Sequence, residues 1–323
     1  MKYRKLLSLI VLLVFFAGCK KDEYEKFKKV PEYIAHPDRA HKPYFDAYDK
    51  TLQLWGVAYE ELYITTSKGI AHVIMSGPKD GVPVVLLHGM CASSTMWYPN
   101  AKALAKQYRI FAIDLIIEPG KSYKTADFKN IDEVTAWYEE LFWALKLESF
   151  HLIGTSRGGW LATDIALKSK RDIRSLILLS PVQTFMWIPP STDLLKNIFN
   201  IFYSKEEGSK RTMGTLSKDP SKLDKRYLEQ YRIALENDSL NKFTIQMKPF
   251  PNSSLRSLKM PVLVLIGDDD MFNTEHTLRL VERHIPKGKG EVIANSGHFL
   301  SVDQAATVNK KIVNFMKSID EAR

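Results

Sequence analysis

Short runs of Val, Leu and Ile alternate with amphipathic stretches over most of the chain. Such runs, bounded by Gly, Pro or Ser, are typical of strands that are buried on both faces. They predict strands at 61–66, 70–76, 82–87, 109–115, 150–153, 175–179, 262–266 and 291–294. Apolar positions at helical spacing predict helices at 45–55, 97–107, 131–147, 157–169, 275–284 and 304–318.

This alternation predicts an α/β fold with a doubly wound, mostly parallel sheet that helices cover on both faces. Between Val182 and Leu258 it stops, and helical stretches with aromatic residues, Lys and Glu take its place. We interpret residues 182–258 as a helical cap inserted after the sixth strand, at the sheet edge where α/β folds bind ligands. The core is then expected in two parts, 41–181 and 259–323.

Composition and charge restrict the class of protein. The 323 residues are 45% hydrophobic and 26% charged, which is typical of a globular protein and excludes a fibrous or wholly disordered chain. The net charge of +9 is spread along the chain, so no nucleic-acid partner is expected. The two cysteines, Cys19 and Cys91, have neither zinc-site nor redox-pair spacing, and we expect no metal or cofactor.

The N-terminus has the order of charges and apolar residues that a secretory signal has. Basic residues at 2–5 precede an apolar run at 6–17 that is too short to span a bilayer comfortably. The ending Phe16-Ala17-Gly18-Cys19 resembles a bacterial lipobox. This resemblance implies removal of residues 1–18 and attachment of lipid to the Cys19 sulfur, which would give stable membrane anchoring.

The leader and the charged, Pro-containing segment after it predict a location. Residues 19–40 are expected to form a tether. We expect a lipid-anchored protein of the bacterial cell envelope, in the outer membrane. Lys21-Asp22-Glu23 resembles the signal of some surface-exposed lipoproteins, so surface exposure stays open. A plain secretory signal and an uncleaved anchor are the alternatives.

The sequence Gly154-Thr155-Ser156-Arg157-Gly158-Gly159 lies between a predicted strand and a predicted helix. In a tight strand-to-helix turn, the residues two before and two after the exposed serine must be small, and Gly154 and Gly158 meet that need. Ser156 would then stand at the head of a helix, whose free amides favour negative charge. The pattern predicts that Ser156 is a nucleophile.

A serine nucleophile needs a histidine base, and the chain has eight histidines. His298 follows the last predicted strand and therefore falls at the carboxyl edge of the sheet. The acid is expected on the loop after the preceding strand, within Asp268-Asp269-Asp270. Charge alone leaves these three carboxylates open. The stretch from Gly267 to Asp270 resembles the Gly-x-x-Asp pattern of α/β-hydrolases, which implies Asp270, with Asp268 and Asp269 as alternatives. The order of nucleophile, acid and base is that of α/β-hydrolases.

From about Phe45 onward the chain resembles the α/β-hydrolase superfamily, in its cap-bearing branch of serine esterases. The resemblance rests on His88-Gly89 after the third strand, Asp114 after the fourth, the Ser156 turn, Gly267–Asp270 and Gly297-His298. It implies that the backbone amides of Met90 and Arg157 form an oxyanion hole, next to Gly89.

Several details depart from the family pattern or stay open. Leu115 to Ser122 replaces a common glycine turn. Within it Glu118 is expected to be solvated, with a part in shaping the pocket as the alternative. A salt bridge along the helix is expected for Arg157, with an acidic substrate as the alternative. Cys91 is expected to be buried. Phe185, Met186 and Trp187 are candidates for the substrate pocket, with ordinary packing as the alternative.

The residues and the resemblance together predict a serine hydrolase that cleaves an ester-type acyl bond of a small-molecule substrate through a covalent acyl-enzyme. Ser156 would attack, His298 would move the proton, and Asp270 would orient His298. A C–C bond hydrolase, a cofactor-free haloperoxidase and a non-catalytic ligand receptor on the same fold are the alternatives.

Overall fold

A computed structural model describes residues 22–188, 212–237 and 246–323. Within these ranges one sheet of nine strands forms the centre of the protein, in the order β1-β2-β4-β3-β6-β7-β8-β9, with β5 paired to β2. The strands are β1 Tyr59–Thr66, β2 Gly69–Ser76, β3 Val82–Leu87, β4 Tyr108–Ile113, β5 Tyr123–Lys124, β6 Ser149–Thr155, β7 Asp172–Leu179, β8 Val262–Gly267 and β9 Gly288–Ile293.

The sheet is mostly parallel, which confirms the predicted fold class. Every pairing from β4 through β3, β6, β7 and β8 to β9 is parallel, whereas β1 and β5 pair antiparallel with β2, and β2 pairs antiparallel with β4. The crossovers place the carboxyl ends of the parallel strands at one edge. The loops after β6, β8 and β9 therefore leave the sheet on the same side.

Helices cover both faces of the sheet. The α-helices span Glu32–Ala35, Lys42–Leu52, Tyr98–Leu104, Ile131–Ala144, Arg157–Lys168, Lys225–Asn237, Asn252–Arg256, Glu275–His284, Leu300–Asp303 and Ala305–Asp320. Alternate residues of β3 enter opposite cores: Val85 and Leu87 face one, Val84 and Leu86 the other, and all four are fully buried. Complete burial of such a side chain contributes about 1.5–3 kcal/mol.

Element boundaries differ from the prediction where backbone geometry decides them. The helix expected at 131–147 ends at Ala144, and Lys146 turns the chain with φ of 56°. The strand β9 begins three residues before its predicted start. Its first residue, Gly288, pairs with Val262 through the backbone and has no side chain that could add to a hydrophobic pattern. β5 is only two residues long and both are exposed, so no hydrophobic pattern could have predicted it.

The segment expected to be a tether packs on the body from Asp22 onward. The Tyr24 hydroxyl donates to the carbonyl of Leu145 at 3.3 Å, and the Tyr33 hydroxyl donates to the carbonyl of Lys121 at 2.7 Å. This part of the segment is therefore a docked extension and not a free spacer. The expected leader, with Cys19, lies outside the described residues. Nowhere in the described chain is a helix long and apolar enough to cross a bilayer.

The segment expected to be a cap contains both helices and irregular stretches in the parts that the structure describes. The helix Lys225–Asn237 lies against the helix Lys42–Leu52, where the Gln230 side chain donates to the Tyr44 hydroxyl at 3.2 Å. Residues 189–211 and 238–245 of the segment lie outside the described residues.

The turn between β6 and the helix Arg157–Lys168 brings two backbones into van der Waals contact. A Cβ atom added at Gly154 would lie closer than 3.0 Å to the Gly158 carbonyl, and one at Gly158 would lie as close to the carbonyls of Leu87 and His88. Since all of these atoms are backbone, no side chain can move aside. The turn tolerates only glycine at both positions.

We expect Gly154→Ala to lower the free energy of unfolding by about 3 kcal/mol, the upper end for an overpacked position. Urea unfolding followed by tryptophan fluorescence measures the change. Gly214→Ala is the matched control, because a Cβ there meets nothing within 4 Å and alanine favours a helix. Equal stability of the two variants would contradict the steric reading of the turn.

Candidate active site

Three side chains from three loops form a hydrogen-bonded chain at the carboxyl edge of the sheet. Ser156 follows β6, Asp270 follows β8 and His298 follows β9. His298 Nε2 lies 2.9 Å from Ser156 Oγ, and His298 Nδ1 lies 3.1 Å from Asp270 Oδ1. Both distances are within hydrogen-bonding range. Ser156 and His298, which are 142 positions apart in the sequence, are therefore in direct contact.

Ser156 is held in a backbone conformation that non-glycine residues rarely adopt. Its φ is 52° and its ψ is −121°, which costs on the order of 1–3 kcal/mol. Hydrogen bonds on both sides hold the conformation: Ser156 N donates to Leu179 O at 2.9 Å, and Gly159 N donates to Ser156 O at 3.0 Å. The strained turn directs the hydroxyl out of the sheet toward the imidazole.

The His298 ring is buried and fixed by its neighbours. The Phe272 ring meets it edge-on, with centroids 4.7 Å apart. The preceding amide, Gly297 N, donates to Asp303 Oδ2 at 2.8 Å. Asp303 also accepts a hydrogen bond from Lys218 N at 2.9 Å, so one buried carboxylate ties the histidine loop to the segment expected to be a cap.

Asp270 is buried and accepts hydrogen bonds on both oxygens. Phe272 N donates to Oδ1 at 3.0 Å and Asn273 Nδ2 donates to Oδ2 at 2.9 Å. Burial alone raises the pKa of Asp270, but the His298 imidazole, the Phe272 N–H and the Ser180 hydroxyl outweigh it, and the pKa lies below its usual value. The carboxylate is therefore charged at neutral pH and holds His298 Nδ1 as the protonated nitrogen.

The other two aspartates of the triplet have different surroundings. Asp268 accepts hydrogen bonds from Asn295 N at 2.9 Å and Ser296 N at 3.0 Å, which lowers its pKa and holds the histidine loop. The Asp269 side chain is 68% exposed, with Lys218 Nζ 3.7 Å away. Among the three, only Asp270 has a hydrogen bond to His298.

The segments that carry the amides of Met90 and Arg157 flank Ser156. A Cβ added at Gly89 would lie 3.3 Å from Ser156 Cβ, so the loop after β3 passes directly beside Ser156. Arg157 is the first residue of its helix, where N–H groups point out of the helix end and favour negative charge.

Arg157 and Glu118 form a buried ion pair, contrary to the expectation that Glu118 is solvated. The Glu118 side chain is 1% exposed, and its Oε1 accepts a hydrogen bond from Arg157 Nη2. The partner of Arg157 comes from the loop after β4 and not from its own helix. Cys91, expected to be buried, is only half-buried, and its N–H donates to Glu118 Oε2 at 2.7 Å.

A cavity of about 240 Å³ opens beside Ser156 and His298. Apart from these two, its walls are mostly apolar and are formed by Gly89, Met90, Ala92, Met96, Arg157, Val182, Gln183, Ile188, Thr212, Leu216, Tyr231, Met247, Phe272 and Phe299. Such a lining suits an apolar group with a few polar contacts.

The predicted pocket residues Phe185, Met186 and Trp187 do not line this cavity. Phe185 is buried in the core, and Trp187 is 59% exposed. Met186 Sδ accepts a hydrogen bond from Thr277 Oγ1 at 3.6 Å. Their neighbours Val182, Gln183 and Ile188 line it instead. The prediction chose the right segment but the wrong residues, because the direction of each side chain in an irregular loop has no sequence pattern.

Asp114 organises the loop that carries Met90. Its buried carboxylate accepts hydrogen bonds from Ser94 N at 2.7 Å and Lys121 N at 2.9 Å, and lies 2.8 Å from His72 Nδ1. Burial alone raises the pKa of Asp114, but His72 and the backbone donors lower it far below its usual value. The family resemblance pointed to Asp114 from the sequence. No motif or spacing in the sequence indicated its partner, His72.

Across the described ranges, no group of three or more His, Cys, Asp and Glu side chains could hold a metal ion. What the site presents is a serine hydroxyl, a base in contact with it, a charged orienting carboxylate and amide-bearing segments on both sides. Such a site can carry out acyl transfer. The fold and the site together define a class, the α/β hydrolases.

Comparison with known proteins agrees with this class. The model of the α/β hydrolase family matches residues 84–311, and the chain belongs to this family. It is 31% identical over 281 residues to a Bacillus subtilis (strain 168) protein described as the uncharacterized carboxylesterase nap, covering 85% of this chain and 92% of that relative.

Solved structures of carboxylesterases superpose on most of the chain. Naproxen esterase (carboxylesterase NP) from Bacillus subtilis has a TM-score of 0.80 at 31% identity, covering 86% of this chain and 98% of its own. Carboxylesterase CesB (YbfK) from Bacillus subtilis has a TM-score of 0.79 at 28% identity, covering 86% and 99%. The protein is a carboxylesterase-like α/β hydrolase.

We expect Asp270→Asn to lower kcat for p-nitrophenyl acetate by about 10⁴-fold, because an amide no longer holds the imidazole in the required tautomer. Steady-state kinetics measure the loss. Asp269→Asn is the matched control and should leave kcat unchanged, since Asp269 is exposed and has no hydrogen bond to His298. A comparable loss in the control, or none in Asp270→Asn, would reverse the assignment.

Proposed function

We propose that this protein hydrolyses carboxylic esters through a Ser156-His298-Asp270 triad and a covalent acyl-enzyme. The observation that carries the proposal is the unbroken hydrogen-bonded chain from Ser156 Oγ through His298 to Asp270. The esterase names of relatives that share most of the chain support an ester over a C–C bond as the substrate.

The first half of the reaction forms the acyl-enzyme. Ser156 Oγ attacks the ester carbonyl carbon while His298 Nε2 takes the hydroxyl proton. The carbonyl π electrons move onto oxygen and give a tetrahedral oxyanion. When the carbonyl re-forms, the bond to the alcohol oxygen breaks and His298 returns its proton to that oxygen.

The second half regenerates the enzyme by the same route. Water loses a proton to His298 Nε2 and attacks the acyl carbon, and the acid leaves as Ser156 Oγ recovers the proton. In both halves Asp270 stabilises the transient imidazolium. The amides of Met90 and Arg157 donate to the oxyanion, where a single donor is worth about 2.7–4 kcal/mol.

We expect Ser156→Ala to abolish both p-nitrophenyl acetate turnover and covalent labelling by a fluorophosphonate probe, because the only attacking oxygen is removed. Turnover is followed by nitrophenolate absorbance and labelling by mass spectrometry of the intact protein. Ser175→Ala, at a buried serine within the neighbouring strand β7 whose hydroxyl lies 2.7 Å from His151 Nδ1, controls for nonspecific effects. A labelled Ser156→Ala protein would refute the assignment of the nucleophile.

We further propose that the mature protein is a lipoprotein anchored through Cys19 in the bacterial cell envelope. The support is the order of the leader: basic residues, an apolar run and small residues directly before the cysteine. Anchoring through several acyl chains is stable where one chain is only marginal. The outer membrane is the proposed location.

The start of the described chain indicates how such an anchor would orient the active site. Glu23 pairs with Lys146 at 3.3 Å, and Tyr24 bonds Leu145, both just before β6 begins. Ser156 lies after the other end of β6, which at ~3.3 Å per residue is about 20 Å away. Asp22, where the described chain starts, therefore lies on the side of the protein opposite the active site. An anchor attached to this end would direct the active site away from the membrane.

We expect Cys19→Ser to prevent incorporation of a clickable palmitate and to move the protein from the membrane to the soluble fraction, because the sulfur that would carry lipid is absent. Labelling in cells and fractionation measure both. Cys91→Ser is the matched control and should remain labelled. Unlabelled wild-type protein with its leader removed elsewhere would overturn the anchor and leave the esterase proposal intact.

A further inference from the structure

Glu118 joins the two segments that flank Ser156. Its Oε2 accepts the Cys91 N–H at 2.7 Å, directly after Met90 in the loop that follows β3. Its Oε1 pairs with the guanidinium of Arg157, at the head of the helix that follows Ser156. The side chain is 1% exposed and contributes to neither the hydrogen-bonded chain nor the core.

The Cys91 contact acts on a residue whose backbone has an uncommon conformation. Cys91 has a φ of 54°, in the left-handed region that a non-glycine residue enters at a cost. A charged carboxylate accepting from its N–H offsets that cost, because hydrogen bonds to charged groups are the stronger ones. Fixing the N–H of Cys91 fixes the peptide between Met90 and Cys91 and, through it, the Met90 amide.

We propose that Glu118 is a positioning residue that holds the Met90 amide in line with the Arg157 amide for the oxyanion. This inference rests on the proposed function, since it assigns a role within the same acyl transfer. Glu118 does not touch substrate. It acts through Cys91 and Arg157, and its effect should therefore appear in the transition state and not in the binding of the ground state.

The loop after β4 is suited to this role because it is itself rigidly held. Glu118 N donates to Leu115 O at 2.8 Å, and Leu115 N donates to His88 Nε2 at 2.9 Å. His88 is the residue directly before Gly89. The loops after β3 and β4 are thus joined through His88, through Glu118 and, at Ser94 N, through Asp114.

Three substitutions at Glu118 separate its two contacts. Glu118→Ala removes both, and we expect kcat for p-nitrophenyl acetate to fall about 10²-fold, as on loss of one oxyanion donor. Glu118→Asp is too short to keep both contacts and should lose about tenfold. Glu118→Gln keeps an oxygen for Cys91 N–H but cannot form the ion pair with Arg157. We therefore expect its melting temperature to fall while its kcat stays close to that of the wild type.

The readout that a merely structural role would not move is affinity for a transition-state analogue. An aryl trifluoromethyl ketone adds to Ser156 and forms a hemiketal whose oxygen occupies the oxyanion position. In Glu118→Ala and Glu118→Asp, its Ki should rise by the same factor as kcat/KM falls, while KM changes little. Asp164→Asn is the control. Asp164 is a buried carboxylate in the helix Arg157–Lys168; it pairs with Lys168 and does not contact the loop after β3.

Each outcome supports or overturns the inference. A parallel change of Ki and kcat/KM, with Asp164→Asn unaffected, supports it. Unchanged kinetics in Glu118→Ala, or a loss of kcat without a change in Ki, overturns it. If Glu118→Ala does not fold, Glu118→Asp decides by the same two measurements. Retained turnover in Ser156→Ala would contradict the proposed function. If Ser156→Ala is inactive but the Glu118 variants keep their kcat/KM and Ki, only this inference is contradicted.

Discussion

The close crossing of β6 and the helix Arg157–Lys168 is the constraint on which the site depends. Backbone meets backbone at Gly154 and Gly158, so the chain between them has no room to relax. Ser156 is consequently held at a φ of 52° with its hydroxyl outside the sheet and its neighbour's amide at the helix end. The positions of the proposed nucleophile and of one proposed oxyanion donor therefore follow from a single steric constraint.

The parallel sheet supplies the rest of the geometry. Because β6, β8 and β9 run in the same direction, the loops after them emerge at the same edge, and each carries one member of the hydrogen-bonded chain. The central strands are buried on both faces by two apolar cores, which keeps these loop ends at fixed separations. The polar site is thus positioned by apolar packing some distance beneath it.

Five carboxylates, all buried except Asp268, organise the loops around Ser156. Asp114 and Glu118 hold the loop after β3, Asp268 and Asp303 hold the histidine loop, and Asp270 holds the imidazole itself. Each accepts backbone or side-chain donors that irregular loops cannot satisfy internally. Such groups cost free energy to bury and recover it only when their hydrogen bonds are complete, which makes the site sensitive to single substitutions.

The sequence by itself determined the fold class, most strands and helices, and the loops that would meet at one edge. It could do so because periodicity and glycine placement report local geometry and two-sided burial. It also indicated Ser156 and His298 by their position after strands, but left the choice among three adjacent aspartates to a family pattern. Only the tertiary structure decided that Asp270 faces His298, that Asp268 bonds backbone, and that Asp269 is exposed.

The tertiary structure also decided which side chains line the cavity and which charges are buried. Phe185 and Trp187 belong to the segment that the sequence indicated, yet one enters the core and the other is exposed. Glu118 and Arg157 are 39 residues apart, one in the loop after β4 and the other at the start of a helix, so neither composition nor spacing could pair them. Direction of a side chain and pairing across loops depend on contacts between distant parts of the chain, and these exist only once the sheet has assembled.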